Sequence, residues 1–203
     1  MKGEERATVK GGTDVDLAPA TFRLLLTTQA VFFAALAWCV VLDHGEGVQD
    51  AGISFFGVHA RTILLVIVGY GAATIGLWRA STMFKAGGLD PLIWLGVRVV
   101  AVTLVVLLAT PYTGGAFLNW AHMTTGVTGA LVQLSISWSL VRHFFGFGAV
   151  TGFVVQLLGG MLAALSLPDW HFQYLLTAEI LMEIGFSWCL LEWTQRLASP
   201  VGD

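Results

Sequence analysis

The sequence predicts an all-α fold, a polytopic membrane helix bundle of six transmembrane helices with both termini cytoplasmic. Three observations predict it. The 203 residues are 56% apolar and only 11% charged, with a mean hydropathy of +0.78, whereas a soluble domain is about a quarter charged. The apolar residues gather into runs near 24–42, 62–78, 91–110, 116–140, 145–167 and 170–191, each close to the roughly 20 residues that cross a hydrocarbon core about 30 Å thick. Every charged residue except Arg98, Glu179 and Glu183 falls outside those runs. This composition excludes a soluble enzyme, a nucleic-acid binder and a disordered scaffold.

The first run follows a polar tail carrying both charge signs and lacks a small-x-small cleavage site, so it reads as a retained anchor. Trp38 stands before Cys39 where a lipoprotein signal needs a small residue, which argues against lipidation. The connection 43–61 is acidic, with Asp43, Glu46 and Asp50 beside His44 and His59, and its apolar stretch Ile53-Ser54-Phe55-Phe56 is expected to lie on the outer interface. Pro111-Tyr112-Thr113-Gly114-Gly115 joins the third and fourth runs and Pro168-Asp169 the fifth and sixth. Such short connections make consecutive helices antiparallel neighbours. Cys39 and Cys189 then sit at opposite faces, too far apart for a disulfide.

Orientation follows from the basic residues. With both ends inside, the inner segments carry Lys2, Arg6, Lys10, Arg23, Arg79, Lys85, Arg142 and Arg196, while the outer loops carry only Arg61, as the positive-inside rule requires. Trp94, Trp120, Trp138, Trp170, Trp188 and Trp193 lie near run ends, where amphipathic rings favour the interface. The chain divides into a polar cytoplasmic tail over 1–20, a transmembrane domain over 21–193 and a short cytoplasmic tail over 194–203.

Lipid is as apolar as leucine, so helices in it associate through small residues and polar contacts. Gly69, Ala72 and Gly76 supply small residues in the second run, Gly126, Gly129 and Ala130 in the fourth, and Gly148, Gly152, Gly159 and Gly160 in the fifth. Packing within the chain is the expected use, with Gly148-xxx-Gly152 the first candidate for a dimer face.

The polar residues inside the runs mark the candidate site. Asn119, His122, Gly126, Ala130, Gln133 and Ser137 recur at helical spacing and form one polar-and-small stripe. Glu179, Glu183 and Ser187 are four apart, which puts two carboxylates on one face, one turn from each other. At 1.5 Å per residue, Arg98 and Glu183 both lie roughly 10–12 Å from the inner face, with Gln133 and Gln29 at similar depth. Each charge at a helix centre costs about 2.5–3.5 kcal/mol on the insertion scale, so the three are expected to face protein. Arg98 and Glu183 are expected to form an ion pair, leaving Glu179 as the neutral carboxyl. The intramembrane cluster is thus Arg98, Glu179, Glu183, His122, Gln133 and Asn119, either a clamp that sets helix register or a site for an ion, proton or ligand.

No cofactor is implied. No run contains His-xxx-His or Glu-xx-His, the other histidines fall at run ends, and no lysine lies inside a run where a retinal Schiff base would need one. Asp43, His44, Glu46, Asp50 and His59 lack ligand spacing, and no catalytic motif is recognisable. The partners this leaves are the lipid bilayer itself and a bound lipid or membrane protein. A small proton-coupled carrier using Glu179, Glu183 and Arg98 is the alternative.

The segments Gly57-Val58-His59-Ala60-Arg61-Thr62, Thr110-Pro111-Tyr112-Thr113, Asn119-Trp120-Ala121-His122-Met123 and Glu179 through Phe186 resemble those of a group of bacterial six-span integral membrane proteins without an assigned activity. The overall plan is similar to the Frag/DRAM/Sfk type. That resemblance implies a six-span fold and no activity, and it draws attention to His122 and Glu179.

Overall fold

The computed structural model describes residues 14–45, 47–143, 145–166 and 173–198, and all regular structure among them is helical. In order, these are α1 (Asp14–Leu42), α2 (Val48–Ala51), which leads directly into a 3-10 helix (Gly52–Gly57), α3 (Ile63–Ala86), α4 (Pro91–Ala109), α5 (Ala116–His143), α6 (Phe147–Leu165) and α7 (Leu175–Ala198). Within the described residues each of the six apolar runs overlaps one long helix. Four stretches, Ala18–Leu42 of α1 together with α3, α4 and α6, are long and apolar enough to cross a membrane, the mark of a membrane-embedded protein. At 1.5 Å per residue α5 and α7 extend about 42 and 36 Å, but they carry the polar groups of the interior. The tail up to residue 13, Glu46, the Pro168-Asp169 connection with Trp170 and His171, and the chain from residue 199 lie outside the described residues.

Local chemistry sets the helix ends. Asp90 caps α4, its carboxylate accepting from Leu92 N–H at 2.8 Å with Pro91 in the first turn, where a missing N–H costs nothing. Gly88, at φ +72°, turns the chain out of α3 in the left-handed conformation that favours glycine. The resulting α3–α4 hairpin is tight.

The helices pack through their small residues, as expected. A methyl group on Gly69 would meet Ala35 and the Phe32 backbone of α1, and one on Gly129 would meet Thr103 of α4. Between α6 and α7 the contact is backbone to backbone. A methyl on Gly159 would come within 2.6 Å of Met182 N and 2.7 Å of Ala178 O, and one on Gly185 would collide with Gln156 N and Gly152 O. The expectation that Gly148-xxx-Gly152 offers a dimer face is therefore corrected. Gly152 faces Gly185 and Cys189, and Gly148 faces the Glu192 side chain, so α7 already covers this stripe.

The core is built from residues such as Leu25, Leu77, Val97, Ile136, Leu140, Phe186 and Trp193, all at most 2% exposed. Large apolar side chains instead cover the outside. Phe117 and Trp120 at one end of the bundle and Phe145 and Phe147 at the other are 75–88% exposed, an arrangement that suits two lipid–water interfaces.

Candidate functional site

The connection between α1 and α3 does not lie on the surface. Val48, Gly52, Ile53, Phe55 and Phe56 are all buried, and the segment 48–57 dips back between the helices at one end of the bundle. The expectation that Ile53-Ser54-Phe55-Phe56 rests on the interface is thus corrected: an apolar run gains as much from the space between helices as from lipid. The segment is tied down as it leaves. Thr62 Oγ1 donates to Phe56 O at 2.8 Å, and His59 Nδ1 lies 2.6 Å from Phe55 O with its ring stacked on Phe55. On the entering side, Thr177 of α7 donates from Oγ1 to Gln49 Oε1 at 3.1 Å.

Glu179 holds the bottom of this re-entrant segment. Ile53 N–H donates to Glu179 Oε2 at 2.6 Å. The first N–H groups of a helix have no partner within it, so a carboxyl oxygen from α7 here acts as an N-cap supplied by another helix, at the positive end of the peptide dipoles. Gly52 makes the approach possible. Its φ of +68° and ψ of −157° are open essentially to glycine alone, and a side chain there would strike the Glu179 carboxylate.

His122 holds the next residue. Its Nδ1 lies 2.7 Å from Thr110 O and its Nε2 lies 2.6 Å from Ser54 Oγ. A carbonyl can only accept, so Nδ1 carries the hydrogen, and in the neutral ring Nε2 accepts from the Ser54 hydroxyl. His122 therefore links the α4–α5 turn to the re-entrant segment, with both ring nitrogens in use.

Deeper in the bundle, Gln133 Nε2 donates to Glu183 Oε1 at 2.8 Å. α5 and α7 both run antiparallel to α6 and hence parallel to each other, so each sends one side chain outward to the re-entrant segment and another inward to this pair. Tyr70 of α3, 8% exposed, is within electrostatic reach of both carboxylates. Several buried polar atoms around this level have no hydrogen-bond partner among the described residues: Gln133 Oε1, both amide atoms of the fully buried Gln156, and Ser187 Oγ one turn from Glu183. Ser137 Oγ, one turn from Gln133, is likewise buried without a hydrogen-bond partner among the described residues.

The expected Arg98–Glu183 ion pair does not form. Arg98 Nε donates to Ser81 Oγ at 2.9 Å and Nη2 to Thr82 Oγ1 at 3.4 Å, and its guanidinium carbon lies 5.1 Å from the Trp78 ring and 5.3 Å from the Trp94 ring. The α3–α4 hairpin supplies these partners before α7 can. Among the described residues the one ion pair is Arg196–Glu192, on the surface of α7. Asn119 also leaves the cluster, since it is exposed in the first turn of α5. The six expected residues thus divide into Glu179 and His122 on the re-entrant segment, Gln133 with Glu183 in the interior, Arg98 against α3, and Asn119 outside.

Gly52, Ser54, Gln156 and Ser81 are site residues that the sequence reading missed. The signal for Ser81 was present: in a tight hairpin, Ser81 and Arg98 are equidistant from the turn, as are Lys85 and Trp94. Among the described residues no three of His, Cys, Asp and Glu converge as a metal ion would require. Comparisons with protein-family models, curated proteins and solved structures find no match for the chain.

Proposed function

We propose that the chain is a six-span integral membrane protein of the bacterial inner membrane, with both termini cytoplasmic. Its work is to bind a lipid or a membrane-protein partner at the Gln133–Glu183 centre, without catalysis. One observation carries this reading: Glu183 is met by an amide instead of a cation, among buried amide and hydroxyl atoms that have no partner. An unsatisfied polar group in a water-free interior costs several kcal/mol. A set of donors and acceptors kept in that state is suited to a polar group arriving from outside. Native mass spectrometry of the purified protein tests the proposal. The wild type is expected to carry a stoichiometric lipid or protein, and Glu183→Gln to lose most of it; a wild type that carries neither sinks the reading.

The alternative, a small proton-coupled carrier, draws on the same carboxylates. Glu179 and Glu183 are one turn apart and neither touches a cation among the described residues, so a proton is the simplest neutralising partner. In this version Arg98, occupied by Ser81 and Thr82, takes no part. It requires pH-dependent uptake into proteoliposomes that disappears in Glu179→Gln.

A further inference from the structure

The α3–α4 hairpin gathers cations that form no ion pair with a carboxylate among the described residues. Trp78, Ser81 or Thr82, and Lys85 lie along one face of α3, while Trp94 and Arg98 are one turn apart on α4. Arg98 lies over both tryptophan rings, and Lys85 Nζ is 5.0 Å from the Trp94 ring. Two like charges thus converge on one aromatic ring. The ring's negative face attracts each of them, but it cannot cancel two full charges. Asp90, the acid of the connecting turn, accepts from Leu92 N–H and makes no ion pair with either cation.

The hydrogen bonds leave Arg98 incompletely used. The hydroxyls of Ser81 and Thr82 both donate to Trp78 O, at 2.9 and 3.1 Å, and so turn their lone pairs toward the guanidinium. They take two of its five N–H groups, which leaves a planar fork free to bind an oxyanion. The location points the same way. Lys85 is exposed near the α3–α4 turn, Arg98 is half-buried about two turns into α4 with a side chain that reaches back toward that turn, and Trp78 is 47% exposed on the outside of the bundle, so a headgroup at the turn comes within reach of both cations.

We propose that Lys85, Arg98 and the two tryptophans form a binding site for a phosphate-bearing anionic headgroup, filled by an anionic phospholipid of the leaflet at the α3–α4 turn. The phosphate takes the free guanidinium fork and the Lys85 ammonium, and the acyl chains lie along the exposed face of Trp78. The site is separate from the Gln133–Glu183 centre.

The test titrates the purified full-length chain in neutral detergent with phosphatidylglycerol, phosphatidylcholine or inorganic phosphate and counts bound adducts by native mass spectrometry. Phosphatidylglycerol is expected to bind in preference to phosphatidylcholine. Lys85→Gln and Arg98→Gln should each weaken it roughly fivefold, Arg98→Lys, which keeps the charge but not the planar fork, should fall between wild type and Arg98→Gln, and Arg142→Gln, at an exposed cation in the last turn of α5, should leave it unchanged. Equal binding of the two lipids overturns the proposal, and so does unchanged phosphatidylglycerol binding in the Lys85→Gln/Arg98→Gln double variant. Displacement of the lipid by inorganic phosphate overturns the lipid assignment in favour of a soluble phosphate. An equal loss on Arg142→Gln would show unspecific charge attraction and overturn it too.

Discussion

The Glu179 carboxylate fills the space where a side chain on Gly52 would begin, and from there it accepts the Ile53 N–H at 2.6 Å. A single contact thus joins the re-entrant segment to α7 and demands glycine at one position for two reasons. Gly52→Ala meets both a backbone conformation worth about 1–3 kcal/mol of strain and the carboxylate itself. Unfolding in detergent should show a loss of at least that size. Adding Glu179→Ala should recover only the part due to collision, so the double variant is expected to be less destabilised than the sum of the singles.

Glu179 also serves as a helix cap, and its two simplest replacements separate charge from hydrogen bonding. Glu179→Gln keeps an acceptor for Ile53 N–H, whereas Glu179→Ala leaves that N–H buried without one, at a cost of about 1–3 kcal/mol. Hydrogen exchange at residues 52–57 should rise strongly in the alanine variant and little in the glutamine variant. Equal exchange in both would show that the carboxylate does not hold the segment.

Arg98 and Glu183 share no partner, so they should act independently. In a double-mutant cycle of Arg98→Ala and Glu183→Gln, unfolding free energies are expected to add within about 0.5 kcal/mol. A direct buried ion pair would instead give a coupling of several kcal/mol.

These cases show where sequence reasoning held and where it stopped. The long helices were legible because an apolar run of membrane length can hardly be anything else, and the polar stripe of α5 was legible because helical spacing is a strong pattern. Helical rise assigns Arg98 and Glu183 an expected depth, but depth is one coordinate of three. Which helix stands beside which is set by packing, and the hairpin neighbour Ser81 reached Arg98 first. The re-entrant segment escaped for a different reason. Hydropathy treats Ile53, Phe55 and Phe56 alike whether they face lipid or other helices, and tertiary contacts such as Gly52–Glu179 and Ser54–His122 distinguish the two.

The α6–α7 contact makes a graded prediction among glycines. Gly185→Ala forces a methyl group into the backbone of α6 and should destabilise by about 1–3 kcal/mol. Gly148→Ala meets only the movable end of Glu192 and should cost less. Gly71→Ala has open space around it and should be neutral or stabilising by up to about 1 kcal/mol, from helix propensity alone. Thermal unfolding of the three variants side by side checks the order.

The most direct test of the Gln133–Glu183 centre replaces both residues with leucine and measures stability and bound mass on the same preparation. Replacing a buried polar pair by apolar residues of similar size often leaves stability unchanged or raises it. The expected result is a double variant at least as stable as the wild type that no longer carries the copurifying lipid or protein. A variant that keeps its bound partner would contradict the assignment of this centre as the binding site.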